Sequence, residues 1–212
     1  MHAPVLIVPR VFEPAFCRRL IALYDEQGGG ESGFMRDVDG KTVGVLDAGH
    51  KRRKDAVIED PGLQAAIRAR LAARLLPDIQ RAFQYQATRI ERFIVACYEA
   101  ADQGFFAAHR DNTTLGTAHR RFAVTINLNT GEYDGGELCF PEFGPRTYLA
   151  PAGGAVVFSC SMLHEARPVL RGQRYACLPF LYDEDAARIR EANATHLGVN
   201  EAFRAAVPNT GG

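Results

Sequence analysis

An α+β fold, in which helices cover one side of an antiparallel β-sandwich or barrel, is what this sequence predicts, on three observations. Two stretches among the first 85 residues space their apolar side chains at helical intervals. From Thr88 the pattern changes to short runs of β-branched and aromatic residues, punctuated by Gly, Pro and Asn, as in many-stranded antiparallel sheets. Neither helical stripe can be buried alone, so the helices must lie as a layer on the sheet.

Taken in order, Val5-Leu6-Ile7-Val8 reads as a short strand. From Glu13, Phe16, Leu20, Ile21, Leu23 and Tyr24 form an apolar stripe, Pro14 suits the first turn, and Gly28-Gly29-Gly30 ends the helix. Residues 31–60 are polar and glycine-bearing, with Val43-Gly44-Val45 as one strand candidate. Within them Lys51-Arg52-Arg53-Lys54 reads first as a solvated turn and second as a mobile flap near a substrate. Asp60-Pro61 starts a second helix, an N-cap residue followed by proline at N1, with Ala65, Ile67, Leu71, Leu75 and Leu76 along one side. Pro77 interrupts it, and a further helical segment runs to about Phe83. Strands are expected over residues 90–98, 105–111, 122–129, 137–140, 147–150, 155–159 and 174–182. Tyr133-Asp134-Gly135-Gly136 is a turn whose glycines permit positive φ. Residues 183–192 look like a last helix, and Pro208-Asn209-Thr210-Gly211-Gly212 a frayed end.

At 212 residues the chain suits one domain with a substantial core. Its 25 basic and 25 acidic residues cancel, so no overall field argues for nucleic acid or an anionic membrane. The longest apolar runs fall far short of the roughly 20 residues of a membrane helix. No basic segment followed by an apolar signal core opens the sequence, so secretion is not expected. Five widely spaced cysteines, with no CxxC pair, read as buried thiols in a reducing cytoplasm rather than a disulfide framework.

The chemistry centres on His109-Arg110-Asp111. In a strand, residues i and i+2 face the same way, so His109 and Asp111 would present an imidazole and a carboxylate together. A second histidine from a distant strand would complete the two-His-one-carboxylate facial set of non-haem Fe(II) sites, which leaves the opposite face open. A His-x-Asp pair by itself is weak, since both residue types are usually just solvated. His164 lies beyond the apolar run Ala155-Val156-Val157-Phe158-Ser159, and Arg174 begins the next strand pattern. His2, His50, His119 and His196 lack partner spacing and read as surface or structural residues. Cys160, four residues before His164, could in principle be a soft ligand but reads as a small buried side chain.

Five segments together resemble the Fe(II)- and 2-oxoglutarate-dependent oxygenases, in their prolyl-4-hydroxylase-like branch. They are Tyr98-x5-Gly104-x4-His109-x-Asp111; the run from Arg121 to Asn129; Gly135-Gly136-Glu137-Leu138-x-Phe140-Pro141; Pro151-x-Gly153-Gly154-Ala155-Val156-Val157-Phe158; and His164-x3-Pro168-Val169-x2-Gly172-x-Arg174. They cover about residues 85–182, and the N-terminal helices fit more loosely. The resemblance implies a double-stranded β-helix (jelly-roll, cupin-like) core over about residues 86–182. Helices of an N-terminal layer, about residues 10–85, would pack on its major sheet, with a C-terminal helix and tail over 183–212. It implies Fe(II) held by His109, Asp111 and His164, with 2-oxoglutarate and O2 at the open positions and ascorbate as a supporting reductant. Arg174 would meet the distal carboxylate of the cosubstrate through its planar fork. Tyr98 would donate its hydroxyl to the cosubstrate or be an ordinary core tyrosine. The activity implied is hydroxylation of an unactivated C–H bond of an amino-acid residue or related small molecule, with release of succinate and CO2.

The sequence also departs from relatives. Several carry a Tyr where this chain has Asn127, so Asn127 or Thr125 would take over its part in the cosubstrate pocket. Position 180, six residues beyond Arg174, is Phe, whereas the nucleic-acid-repair branch usually has a second Arg there. Asp111 stands where halogenating relatives have Ala or Gly, which favours hydroxylation. Residues 33–60 are the expected lid selecting among amino-acid, peptide and protein substrates, because loops on a rigid sheet carry specificity. The rival reading is a metal-binding jelly-roll module that senses or scaffolds without catalysis. A cupin-type metalloenzyme using no 2-oxo acid is the third. Oligomeric state is not legible.

Overall fold

Helix α1 (Pro14–Gln27) forms where the apolar stripe predicts it, burying Phe16, Cys17, Leu20 and Tyr24. Helix α2 (Pro61–Arg74) starts on Asp60, whose carboxylate accepts from the Gly62 N–H at 2.8 Å, one of the four backbone donors a helix start leaves without partners. Pro77 cannot continue it, so the chain breaks at Leu75 and begins again as α3 (Leu76–Phe83), with that proline in its first turn. Helix α4 (Glu184–Ala192) is capped by Asp183, which accepts from Ala186 N. The computed structural model describes residues 1–198, so the expected frayed end at 208–212 lies outside the described residues.

Two antiparallel sheets stack against each other. The major sheet runs, in spatial order, through Leu6–Val8, Ala155–Ser159, Phe122–Asn127, Gln173–Cys177, Ile94–Glu99, Lys54–Val57 and Gly30–Glu31, with Phe180–Tyr182 and Arg89–Glu91 joined at one corner. The minor sheet orders Thr147–Tyr148, Leu138–Cys139, His164–Ala166, Phe105–His109 and Lys51–Arg52. This is the jelly-roll arrangement of a double-stranded β-helix.

Strand alternation divides the major sheet into two chemistries. Val95, Cys97, Val124, Ile126, Val157, Tyr175 and Cys177 face outward into one core with Leu20, Leu63, Ile67, Leu71, Leu75 and Ile79 of the helices. Each such Leu or Ile, being fully buried, contributes roughly 1.5–3 kcal/mol by area. The alternate positions Ile94, Ala96 and Tyr98, with Ala123 and Val156, face the minor sheet and pack on Ala166, Leu138, Phe140 and Phe158. Thr125 and Asn127, Arg174, and Tyr98 therefore share the inner face on three consecutive strands.

Residues 31–60 differ from expectation. They are neither a helical layer nor one lid. Residues 34–45 form a hairpin, Phe34–Val38 with Lys41–Val45, but Lys51–Arg52 pairs with Phe105 and Phe106 in the minor sheet and Lys54–Val57 pairs with Ile94–Cys97 in the major one. The basic run is accordingly no solvated turn: Lys51 and Arg53 are 6% and 7% exposed, because the chain crosses here between the two sheets. The expected 105–111 strand also ends early, at His109, and Asp111 sits in the turn beyond it.

Candidate metal centre

Register brings the first two histidines together. His109 lies opposite His164 on neighbouring strands, and their ring centroids are 4.3 Å apart. His109 Nδ1 donates to the Ala107 carbonyl at 2.7 Å and His164 Nδ1 to the Met162 carbonyl at 3.0 Å. Because a carbonyl only accepts, both protons sit on Nδ1, and both Nε2 lone pairs face the site.

Asp111 reaches the same point from a turn rather than by strand alternation, held by its N–H donating to the Cys160 carbonyl at 3.0 Å. Its Oδ1 is 3.6 Å from His109 Nε2, and its Oδ2 is 3.4 Å from His164 Nε2. One donor atom from each residue lies within 4.8 Å of the others. These separations suit donors around one ion at bond lengths of about 2.0–2.2 Å better than direct hydrogen bonds. Cys160 contributes its backbone, and its thiol, pushed up by burial, is not one of the clustered donors.

Electrostatics prepare His164 and Asp111. Burial pushes His164 down to about 4, against the pull of Asp111, so its imidazole is neutral at pH 7. Burial by itself would raise the Asp111 carboxyl, but His164 and His109 outweigh it and hold the group well below the usual carboxylate range. Neutral imidazoles beside an ionised carboxylate are the state a divalent cation requires. Aromatic walls keep water off: Phe106 stacks on His109 at 3.5 Å between centroids, and Phe158 packs at 4.5 Å from His164.

Behind the triad is an inner cavity of about 50 Å³, lined by Tyr98, Thr125, Phe158 and Arg174 as well as the three donors. Arg174 pairs with Tyr98 in register, and its guanidinium carbon lies 5.0 Å from the Tyr98 ring centroid. It is 2% exposed, yet among the described residues its side chain donates one hydrogen bond, from Nη2 to Asn127 Oδ1 at 3.2 Å, and Nε has no partner. The Asn127 amide is oriented by its own Nδ2 donating to the Ala150 carbonyl at 3.1 Å. Asn127 thus holds Arg174. A permanently charged guanidinium buried on one neutral partner lacks an anion, and an anion accepting from Nε would satisfy it. Gly136 makes room for it: with φ at +71°, a Cβ there would meet Arg174 Cδ at 2.7 Å. The Tyr98 hydroxyl accepts from Arg53 Nη1 at 3.4 Å, which leaves its own proton to donate.

Outward from His109 and Asp111 opens a cleft of about 710 Å³, walled on one side by the hairpin residues Phe34, Met35 and Arg36. His50, expected at the surface or in a structural role, lines this cleft, its ring 4.3 Å from Phe34 and 5.6 Å from Phe106. His119 is structural, buried with its Nε2 2.8 Å from Glu91 Oε2. Sequence reading missed Lys51, Arg53 and Arg92 as site residues. For the first two a signal existed: cations at i and i+2 share one side of an extended chain.

Residues 93–182 match the family model described as the 2OG-Fe(II) oxygenase superfamily. Over 134 residues the chain is 31% identical to a PKHD-type hydroxylase of Verminephrobacter eiseniae, an alignment covering 58% of each protein. The chain thus spans less than two thirds of the length of that curated relative. Its fold is similar to that of a Pseudomonas putida prolyl-4-hydroxylase (TM-score 0.60, 19% identity, covering 86% of this chain and 94% of the other). It is also similar to a Trichoplax adhaerens prolyl hydroxylase solved with a hypoxia inducible factor oxygen degradation domain peptide fragment (TM-score 0.62, 17% identity, covering 89% of this chain and 86% of the other). At these identities the structural likeness is one of fold. Over residues 93–182 the chain thus resembles the 2OG-Fe(II) oxygenase superfamily, and its prolyl-4-hydroxylase-like fold gathers His109, Asp111 and His164.

Proposed function

We propose that this protein is an Fe(II)- and 2-oxoglutarate-dependent dioxygenase that hydroxylates an unactivated C–H bond of an amino-acid residue or related small molecule. The observation that carries the reading is the pairing of two unmet demands in one cavity. Three donors converge on a point where an ion fits, and behind them Arg174 holds a buried charge with Nε unpartnered. A dicarboxylic cosubstrate meets both at once, one end beside the ion and the other on the guanidinium.

When bound, Fe(II) with 2-oxoglutarate and O2 supplies the oxidant, and succinate and CO2 are the by-products. His109, Asp111 and His164 hold the ion. Their backbone carbonyl partners fix which nitrogen points inward. Arg174, steadied by Asn127, receives the distal carboxylate, and Tyr98 donates its hydroxyl toward the cosubstrate. Thr125 lines the same cavity. Phe106, Phe158 and Phe140 exclude water, so that the oxidant is spent on the substrate. The hairpin at 34–45 is the part of the expected lid that walls the cleft, and substrate enters past it. A reducing cytoplasm is supported by five free, buried thiols. No helix among the described residues is long and apolar enough to cross a membrane.

Succinate formation from 2-oxoglutarate with added Fe(II) tests the proposal, followed with and without candidate amino acids and peptides. Turnover that Asp111→Ala abolishes is the expected result. A wild-type protein that binds Fe(II) but neither binds nor consumes 2-oxoglutarate would refute it.

A further inference from the structure

One group of charged side chains is not used by that chemistry. Lys51, Arg53 and Arg92 gather around a single carboxylate, Asp55. Arg53 takes both its oxygens, Nε to Oδ1 and Nη2 to Oδ2, each at 2.7 Å, and Ser32 Oγ also hydrogen-bonds Oδ2. Lys51 Nζ donates to Ser32 Oγ and the Gly33 carbonyl, both at 2.6 Å, and no carboxylate among the described residues pairs with it directly. Arg92 is left with the third claim on Asp55 Oδ2, at 3.6 Å, and donates no hydrogen bond among the described residues. Its side chain is only 19% exposed. The Glu91 carboxylate accepts from Arg120, which like Arg92 lies against the Phe180 ring, and so offers Arg92 no spare negative charge. Asp111, the other nearby carboxylate, is committed to the ion site.

Position makes the excess charge meaningful. Arg92 lines both the inner cavity and the outer cleft, and it shares that double placement with Phe106, His109 and Asp111. It therefore stands at the throat between cosubstrate and substrate. Its backbone is left-handed, φ +71°, which interrupts the strand between Arg89–Glu91 and Ile94–Glu99. A non-glycine residue held this way costs of order 1 kcal/mol, a cost more often met at binding sites than in plain scaffold. Burial and then Arg53 pull the Arg92 guanidinium down to about 10, so it stays protonated at neutral pH but is held among like charges. The cosubstrate is already provided for by Arg174 and the ion.

We propose that Arg92, with Lys51 beside it, receives a carboxylate on the substrate, so that the substrate is a free acid rather than an uncharged residue inside a protein chain. This rests on the oxygenase reading and names its substrate class. The guanidinium fork offers two parallel donors to a carboxylate, and a carboxamide could match neither the charge nor the geometry.

Calorimetric titration tests it, on wild-type protein loaded with Fe(II) and 2-oxoglutarate under argon. The probes are the L-amino acids and their carboxamides, together with tripeptides bearing a free or an amidated C-terminus. At least one acid should bind about 30-fold or more tightly than its amide, the factor expected when one side of a desolvated charge pair is removed. Whether that acid is a single amino acid or a tripeptide tells which molecule carries the group. Arg92→Met should bring acid and amide within about twofold, and Arg92→Lys should keep part of the preference. The proposal is overturned if no acid outbinds its amide, a panel that does not bind at all included. It is equally overturned if Arg92→Met leaves the preference intact, or weakens 2-oxoglutarate binding in its place. The wild-type comparison decides alone should the variants not fold. Failure of 2-oxoglutarate itself to bind, measured first, counts against the oxygenase reading and is separate from the comparison of acids with amides.

Discussion

Replacing Arg174 with Met separates a binding role from a structural one. The guanidinium is 2% exposed and, among the described residues, makes one hydrogen bond, to a neutral amide, with Nε unpartnered. Without cosubstrate it is an under-compensated buried charge, so a methionine stem of similar reach removes a burden while leaving Asn127 Oδ1 short of a donor. These effects oppose each other at about 1–3 kcal/mol each, and the melting temperature of the ligand-free protein should move little. With cosubstrate the balance changes. Truncating one side of a desolvated charge pair costs about 2–5 kcal/mol, which is about 30-fold or more in 2-oxoglutarate affinity. At a concentration one hundred times its Kd, the cosubstrate stabilises the wild type by about 2.7 kcal/mol, or about 5–10 °C for a domain of this size. The same concentration should stabilise the variant by about 0.9 kcal/mol or less, roughly 2–4 °C at most. Thermal melts with and without 2-oxoglutarate, on protein loaded with Zn(II) to prevent turnover, give both numbers. An Arg174→Met protein with the full wild-type shift would refute the assignment, and one that is unfolded without ligand would refute the claim that the charge is a burden.

Three further outcomes follow from the geometry. Gly136→Ala places a methyl 2.7 Å from Arg174 Cδ at φ +71°, a strain of about 1–2 kcal/mol; it should weaken 2-oxoglutarate binding about tenfold, and an unchanged titration would show that the stem of Arg174 is not confined there. His164, pushed down to about 4 from an ordinary 6.5, resists protonation when folded. Its contribution is therefore whole above pH 6.5 and is lost as pH falls from 6.5 toward 4, by up to about 3 kcal/mol in the metal-free protein. Urea unfolding across that window checks it, and a His164→Gln variant with the same slope would contradict it. Glu91, 6% exposed, accepts from Arg120 Nε at 2.7 Å and holds His119, with Arg190 Nε 3.6 Å away. Glu91→Ala leaves the Arg120 guanidinium enclosed without its carboxylate and should cost about 3–5 kcal/mol in urea unfolding, and a loss below about 1 kcal/mol would mean that water replaces the carboxylate.

Helices α1, α2 and α3 were legible because their signals are local: an apolar stripe, Asp60-Pro61 as a start, and Pro77 as a break. Tyr98, Asn127 and Arg174 were named from their places in segments that resemble a family, and the pairing of three strands puts them on one face of the sheet. The donors at the centre were named from residue type and order, and the structure brings His109, Asp111 and His164 within reach of one ion. The route to Asp111 was misjudged, for it arrives on a turn held by the Cys160 carbonyl, a partner 49 residues away in sequence. The basic run at 51–54 was misjudged more deeply. Charge by itself says solvent, and only the pairing of Lys51–Arg52 with one sheet and Lys54–Val57 with the other drives Lys51 and Arg53 inside. What the sequence could determine alone is what depends on near neighbours: periodicity, caps, breaks and the chemical kinds of donor. Which cations are enclosed, which of them share Asp55, and that Arg92 is left short of an anion depend on distant strands meeting. Burial is a property of the assembled sheets, and no stretch of chain carries it by itself.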